Sequence, residues 1–163
     1  MEITINGEPH QLIGNPPAVG NIFPAFNVTN KNGQTITSDQ LRGKVTLLSV
    51  VPDINTSVCS IQTKHFNQAM DEYPAVNFLT ISTNTTTDQQ KWCAAEGVKN
   101  MELVSDQDQD FGKATGLLIP DAGILARSVW VLDPNGKIVY REILSELTDE
   151  PDYDQALTEL KQL

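Results

Sequence analysis

The residues best suited to chemistry lie in one short run, Val50-Val51-Pro52-Asp53-Ile54-Asn55-Thr56-Ser57-Val58-Cys59. A cysteine becomes a useful nucleophile as its thiolate. An ordinary thiol, with pKa about 8.5, is only a few per cent ionised at neutral pH. Lowering that value to about 6 makes most of it thiolate, and a helix N-terminus or a nearby cation are the usual means. Cys59 is spaced to sit in the first turn of a helix, where backbone N–H groups are free. Thr56, three residues earlier, brings a hydroxyl that can accept one hydrogen bond and donate another. The same hydroxyl would also make a good helix cap.

These positions need a strand, a turn and a helix around them. Val45 to Val51 is an apolar run that reads as a buried strand. Pro52 stops it, having no N–H to give a ladder. Ser57 to Met70 reads as the helix. The second cysteine, Cys93, follows Trp92 on a helix that opens at Thr86-Thr87-Asp88 and runs towards Gly97. Two cysteines can be inert core residues, a redox pair or part of a metal site. Arg127 opens the apolar stretch Arg127-Ser128-Val129-Trp130-Val131-Leu132. An arginine there is either paired or lies on an edge strand in solvent.

Three other patterns point elsewhere. His65 lies six residues after Cys59, and six steps turn a helix by about 600°, so the two face different ways. That argues against a Cys59–His65–Cys93 metal site. Asp106-x-Asp108-x-Asp110 has the start of a calcium loop, but Phe111 stands where the turn glycine belongs and Leu117 where the bidentate glutamate belongs. It reads as an acidic loop and helix start. There is no Cys-x-x-Cys, which argues against a disulfide reductase of the thioredoxin type.

Taken in order, Asn6-Gly7 between alternating residues predicts an N-terminal hairpin over 2–5 and 9–13. A Pro- and Gly-rich loop spans 14–24. A second hairpin surrounds Asn30-Lys31-Asn32-Gly33, and a short helix capped at Ser38-Asp39 ends near Gly43. After the strand and helix around Cys59 come a strand at 76–82, the helix bearing Cys93 and a short strand at 101–104. A short helix at 110–115, a last hairpin at 127–132 and 137–143, and a helix from Pro151 to Leu163 follow. A helix between two strands makes a parallel βαβ unit. The whole is an α/β layer fold whose βαβ half, closed by an antiparallel hairpin and a helix, matches a thioredoxin-like architecture. With 163 residues and no linker or repeat, one domain over 1–163 is expected.

Pro-x-x-x-Thr-x-x-Cys from Pro52 to Cys59, Trp92-Cys93 and Leu125-Ala126-Arg127-Ser128-Val129 together resemble the peroxiredoxins, and among them the bacterial thiol peroxidases. The resemblance runs from the N-terminal hairpin to the last helix. It implies a thioredoxin-like fold with an extra N-terminal β-hairpin. It also implies an atypical two-cysteine mechanism: Cys59 attacks the peroxide and Cys93 resolves the product as an intrachain disulfide. Arg127 would lie against the reactive sulfur, Thr56 would relay hydrogen bonds between peroxide and thiolate, and Pro52 would shield the sulfur from water. Thioredoxin is the implied reductant, a hydroperoxide (alkyl or lipid over hydrogen peroxide) the implied substrate and a homodimer the implied assembly. No cofactor or metal is called for. The family usually has proline where this chain has Ser57. A peroxide-sensing switch using the same disulfide is the alternative function.

Composition bounds the partners. The net charge of −10 disfavours nucleic acid and anionic membrane. Met1 to Asn6 shows no basic stretch ahead of an apolar one, so no signal peptide is expected. No apolar run approaches the roughly 20 residues of a spanning helix. A cytoplasmic protein is the expectation, with the Asn-x-Ser/Thr matches at Asn27, Asn55 and Asn84 fortuitous.

Overall fold

A computed structural model describes residues 1–98 and 102–163. Its centre is strand β5, Thr46–Val50, buried along its whole length. Both faces are covered, which is why the sequence there is a continuous apolar run rather than an alternating one. Leu47 packs on one side with Phe66, Phe78, Val129, Val131, Ala156 and Leu160. Leu48 and Val50 pack on the other with Phe23, Phe26, Phe111 and Trp130.

Helix α1, Ser57–Ala69, leads from β5 to β6, Asn77–Ser82. These strands run parallel, with Leu47 opposite Phe78 and Val50 opposite Ile81. Helix α2, Thr86–Glu96, crosses to a second parallel neighbour, β7, Glu102–Ser105. The strand expected from residue 101 starts at Glu102 among the described residues; Met101 lies outside them. Thr85 caps α2 by accepting the Asp88 N–H at 3.1 Å, and Gly97 ends it at φ +70°, a conformation glycine adopts without cost.

Beyond β7 lie β3, Asn27–Thr29, and β4, Thr35–Thr37. On the far side of β5 lie β10, Ser128–Leu132, and β11, Ile138–Ile143, both antiparallel. The seven-stranded order is β11-β10-β5-β6-β7-β3-β4. Strand β10 is therefore interior, and the edge-strand reading of Arg127 does not hold. Helix α4, Tyr153–Lys161, packs on β10 and β11.

One element escaped the sequence reading. Helix α3, Asp110–Thr115, is followed by a miniature hairpin of β8, Leu118–Ile119, and β9, Ile124–Leu125. Strands of two residues are too short to show periodicity. The hairpin lies so close to α3 that a Cβ on Gly112 would stand 2.7 Å from Leu125 Cδ2. The acidic stretch before α3 serves as its start. Asp106 accepts the N–H groups of Phe111 and Gly112 at 2.8 and 2.9 Å. Burial nevertheless pushes its carboxyl up to about 6.

The N-terminal hairpin pairs β1, Glu2–Ile5, with β2, Glu8–Gln11. It docks on the segment after β11. Thr4 N–H donates to Ser145 O at 2.7 Å and Leu147 N–H to Thr4 O at 2.8 Å. Glu146 ties the two together. Its carboxylate accepts Thr4 Oγ1 and Gly7 N–H, each at 2.8 Å, and both Thr148 N–H and Oγ1 at 2.8 and 2.7 Å. The hydrogen bonds from Thr148, joined by those from Gly7 and Thr4, hold its carboxyl down at about 2.

A depressed carboxyl stabilises the fold above the unfolded-state value and loses that contribution as pH falls through the folded one. For Glu146 the window runs from about 4.5 down to about 2. Asp106 acts in the opposite sense, its contribution fading as pH rises through about 6, so the comparison must be made between variants. Glu146→Gln should have a lower urea midpoint than the parent at pH 7, and the gap should close between pH 4.5 and pH 2. A gap that stays constant over that range would show that the charge on Glu146 does not hold the hairpin.

Candidate active site

Four segments converge on Cys59. Helix α1 begins after Thr56, whose extended backbone marks the cap position, so Cys59 is its third residue. The turn before it is held from a distance. Asn84 accepts the Ile54 N–H at 2.8 Å and donates to Asp53 Oδ1 at 3.0 Å. Asp53 Oδ1 also takes the Asn55 N–H at 3.0 Å. Pro52 is buried at the end of β5.

Cys59 itself is buried, only 1% exposed, in a small apolar cluster with Val51, Ile54, Trp92 and Leu103. Its sulfur has one polar neighbour of consequence. Arg127 Nη2 donates to Cys59 Sγ at 3.3 Å. The remaining guanidinium nitrogens are also engaged: Nη1 donates to Gln62 Oε1 at 3.0 Å and Nε to Leu147 O at 2.7 Å. Gln62 stands three residues after Cys59 on the same face of α1. Its Nε2 donates to Ser49 Oγ on β5 at 2.9 Å, which turns its oxygen towards Arg127.

The charge balance is unusual. Arg127 is 3% exposed, and among the described residues no carboxylate forms an ion pair with it. Two of its three acceptors are neutral amide oxygens. A buried cation without a counter-ion costs several kcal/mol, and the third acceptor is the Cys59 sulfur. Tyr153 does not compete for that role. Its ring stacks on His65 with centroids 4.0 Å apart, and its hydroxyl donates to Glu150 at 3.0 Å. Burial and the Glu150 carboxylate push its phenol above the usual range, so it stays neutral.

Thr56, immediately before α1, is exposed. Its hydroxyl donates to Asp53 O at 2.9 Å and makes no cap to α1. The first-turn N–H groups are thus left uncapped by Thr56, and its oxygen lone pairs are available to a ligand. Ser57, at the first helical position, is exposed and occupies the place where proline would be tolerated equally well.

Cys93 lies on the last turn of α2, half-buried against the same apolar cluster. Both cysteines are free thiols. Burial pushes the Cys93 thiol up, with the Lys31 ammonium opposing it weakly. A pocket of about 360 Å³ opens beside it, lined by Lys31, Asn32, Gln89, Gln90, Val98 and Leu103. A larger cavity of about 650 Å³, between β3 and α3, borders Asp106, Asp108 and Asp110 and holds none of these site residues.

The sequence placed Cys59 and Arg127 in the site and the structure brings them into contact. It missed Gln62, Ser49, the Leu147 carbonyl and Asn84. Gln62 was detectable in principle, being polar on the face of α1 that carries Cys59 and Phe66. The other three act through contacts between distant parts of the chain, and Asn84 was set aside as a fortuitous glycosylation match.

Comparison with known proteins identifies the family. A model of the AhpC/TSA family matches residues 19–141. A thiol peroxidase of Bacillus subtilis (strain 168) is 41% identical over 163 residues, spanning 99% of this chain and 98% of the relative. One of Listeria innocua is 41% identical over 161 residues, with 98% of each chain covered. Among solved structures, a peroxiredoxin-like protein from Aquifex aeolicus matches with a TM-score of 0.90 at 29% identity, covering 99% of this chain and 96% of that one. A thiol peroxidase from Chromobacterium violaceum matches with a TM-score of 0.89 at 18% identity, a likeness of fold alone. The architecture is thus the thioredoxin-like fold with an added N-terminal hairpin, and the chain belongs to the AhpC/TSA family as a peroxiredoxin of the thiol peroxidase kind, an enzyme that reduces peroxides at the expense of thiols.

Proposed function

We propose that residues 1–163 work as one unit that reduces hydrogen peroxide and alkyl or lipid hydroperoxides, with Cys59 as peroxidatic cysteine, Cys93 as resolving cysteine and a thioredoxin as reductant. The observation that carries this reading is the 3.3 Å contact between Arg127 Nη2 and Cys59 Sγ, in a buried site where the guanidinium has no carboxylate partner among the described residues. A homodimer in the cytoplasm belongs to the same proposal and rests on the family resemblance alone.

The Cys59 thiolate attacks the distal peroxide oxygen, the O–O bond breaks, and the alkoxide or hydroxide takes a proton and leaves as alcohol or water. The sulfur becomes a sulfenic acid. Arg127 stabilises negative charge first on the sulfur and then on the departing oxygen. Thr56 accepts a hydrogen bond from the peroxide O–H, its own proton already committed to Asp53 O. Pro52 walls the sulfur from water. The Cys93 thiol then attacks the sulfenic sulfur, releasing water and closing a disulfide. A dithiol reductant returns both cysteines to thiols by exchange, supplying two electrons and two protons. Steady-state consumption of cumene hydroperoxide with thioredoxin tests the whole cycle; stoichiometric oxidation without turnover would overturn it in favour of a redox switch.

Arg127→Gln should slow peroxide reduction by at least one to two orders of magnitude, about 1.4 kcal/mol per tenfold. It should also lower stability by about 1–3 kcal/mol, because Gln62 and Leu147 lose a donor in a buried place. A folded variant that reacts at the parental rate removes Arg127 from the mechanism.

Thr56→Ser should keep most of the rate and Thr56→Val should lose most of it. Both should fold, since the side chain makes no cap and only the bond to Asp53 O is lost in the valine variant, about 1 kcal/mol. Equal rates in the two variants would limit Thr56 to shaping the turn.

The two cysteines should fail differently. Cys59→Ser should abolish peroxide consumption at the first step. Cys93→Ser should keep that step, stall turnover with thioredoxin, and let excess peroxide drive Cys59 to sulfinic and sulfonic acid, seen as added oxygens on its peptide. Full thioredoxin-linked turnover in Cys93→Ser would make Cys93 a packing residue.

A further inference from the structure

Helices α1 and α2 carry one cysteine each, and one ion pair joins them. Lys64 Nζ, five residues beyond Cys59 on α1, contacts Oε2 of Glu96, the last residue of α2. Of the ion pairs among the described residues it alone links these helices.

Its position matters because α2 is held unevenly. The front half is anchored. Thr85 caps it, buried Gln89 donates to Ser82 Oγ at 3.0 Å and to Val104 O at 2.9 Å, and Trp92 is buried. After Trp92 the anchoring weakens to the partly buried Cys93 and Val98, which pack against the Cys59 cluster. Cys93 is half-buried, and Ala94, Ala95, Glu96 and Gly97 are exposed. The helix end closes on Cys93 itself, whose carbonyl accepts the N–H groups of both Gly97 and Val98. A carboxylate at a helix C-terminus is unfavourable against the negative end of the dipole, so Glu96 gains from a cation there, and Lys64 supplies it.

Resting on the two-cysteine reading above, we propose that the Lys64–Glu96 pair is a clasp that holds the last turn of α2 closed and sets the rate at which Cys93 is released to attack oxidised Cys59. Closing the disulfide requires Cys93 to leave its packed place on the α2 turn and meet the narrow geometry of an S–S bond. Gly97 and Val98 must then give up the Cys93 carbonyl. With the clasp broken, that opening is easier, and the sulfenic acid spends less time exposed to a second peroxide. Lys64 and Glu96 touch neither the peroxide nor either sulfur in this arrangement; they act as positioning residues.

The test separates the two chemical steps. Reduced protein is mixed with cumene hydroperoxide, quenched at intervals and weighed intact, so that sulfenic acid and disulfide are followed apart. In Lys64→Met the first step should keep the parental rate. Disulfide formation should rise by about two- to fivefold, the range of a partly exposed ion pair, and the sulfinic fraction under fixed excess peroxide should fall by a similar factor. Raising the salt from about 0.02 M to about 0.5 M should speed disulfide formation in the parent and leave the variant unchanged. The exchanged pair, Lys64→Glu with Glu96→Lys, should bring disulfide formation back to the parental rate or below it, since a lysine at the end of α2 also suits the dipole. A variant that loses thermal stability but resolves at the parental rate, or a parent insensitive to salt, would make the pair merely structural. Slower resolution in Lys64→Met would mean that the pair guides Cys93 towards Cys59. A parental protein that forms no disulfide at all would overturn the two-cysteine reading itself, and the clasp with it.

Discussion

The structure depends on a buried guanidinium. Taking Arg127 out of water costs several kcal/mol, and a protein tolerates this when the guanidinium nitrogens find acceptors. Three acceptors answer three separate nitrogens: the Leu147 carbonyl, the Gln62 side chain and the Cys59 sulfur. Leu147 and Gln62 are neutral and cannot pair the charge. Of the three acceptors, only the Cys59 sulfur belongs to a group that can carry a negative charge. A carboxylate beside Arg127 would relieve that cost more simply, and would also remove the field the sulfur needs.

Much of the fold can be read as the means of holding those acceptors still. Gln62 is fixed from β5 through Ser49, so the strand and the helix of the βαβ unit are locked at the residue that orients the arginine. Leu147 is fixed from the other side. Its N–H donates to Thr4 O in the N-terminal hairpin, and Leu144 N–H returns to Arg127 O. Glu146, next in sequence, gathers hydrogen bonds from both the hairpin and the segment it docks on. The added hairpin is therefore not a decoration on a thioredoxin-like core. It braces the segment whose carbonyl holds Arg127 Nε.

How far the sequence could be read follows from the range of the interactions concerned. Asn6-Gly7, Pro52 after an apolar run, and the helix start at Ser57 are local signals, and the corresponding elements stand where they were expected within two residues. The contact between Arg127 and Cys59 spans 68 residues, and the family resemblance of the two segments, not any spacing, put them together in advance. Gln62 is marked only by being polar on the inward face of α1, and its partner Ser49, 13 residues away, had no pattern to announce it. The hydroxyl of Thr56 illustrates a subtler limit. Residue type shows that it can donate and accept, but only the turn at Asp53, itself held by Asn84, decides where its proton goes. The interior position of β10 was hidden for the same reason, since strand order across a sheet is not written in any one strand.

The two cysteines differ in burial, Cys59 being buried and Cys93 partly buried, and the proposed cycle asks for that difference. Attack on a peroxide needs a sulfur held in one place against one cation, and α1 meets this with Cys59 buried, its neighbour Thr63 bonded back to the Cys59 carbonyl at 2.8 Å, and Gln62 locked to the sheet. Formation of a disulfide needs the opposite, a partner that can leave its packing without unfolding the domain. In the proposed cycle, placing Cys93 after the last fully buried side chain of α2, Trp92, would confine the movement to one turn. The thioredoxin-like sheet behind it, anchored through Gln89 to β6 and β7, need not move. A resolving cysteine two turns earlier, among the residues that Gln89 and the Thr85 cap hold in place, would have to break those bonds as well. The position of Cys93 near the weakly held helix end is thus as much a part of the proposed mechanism as the thiol itself.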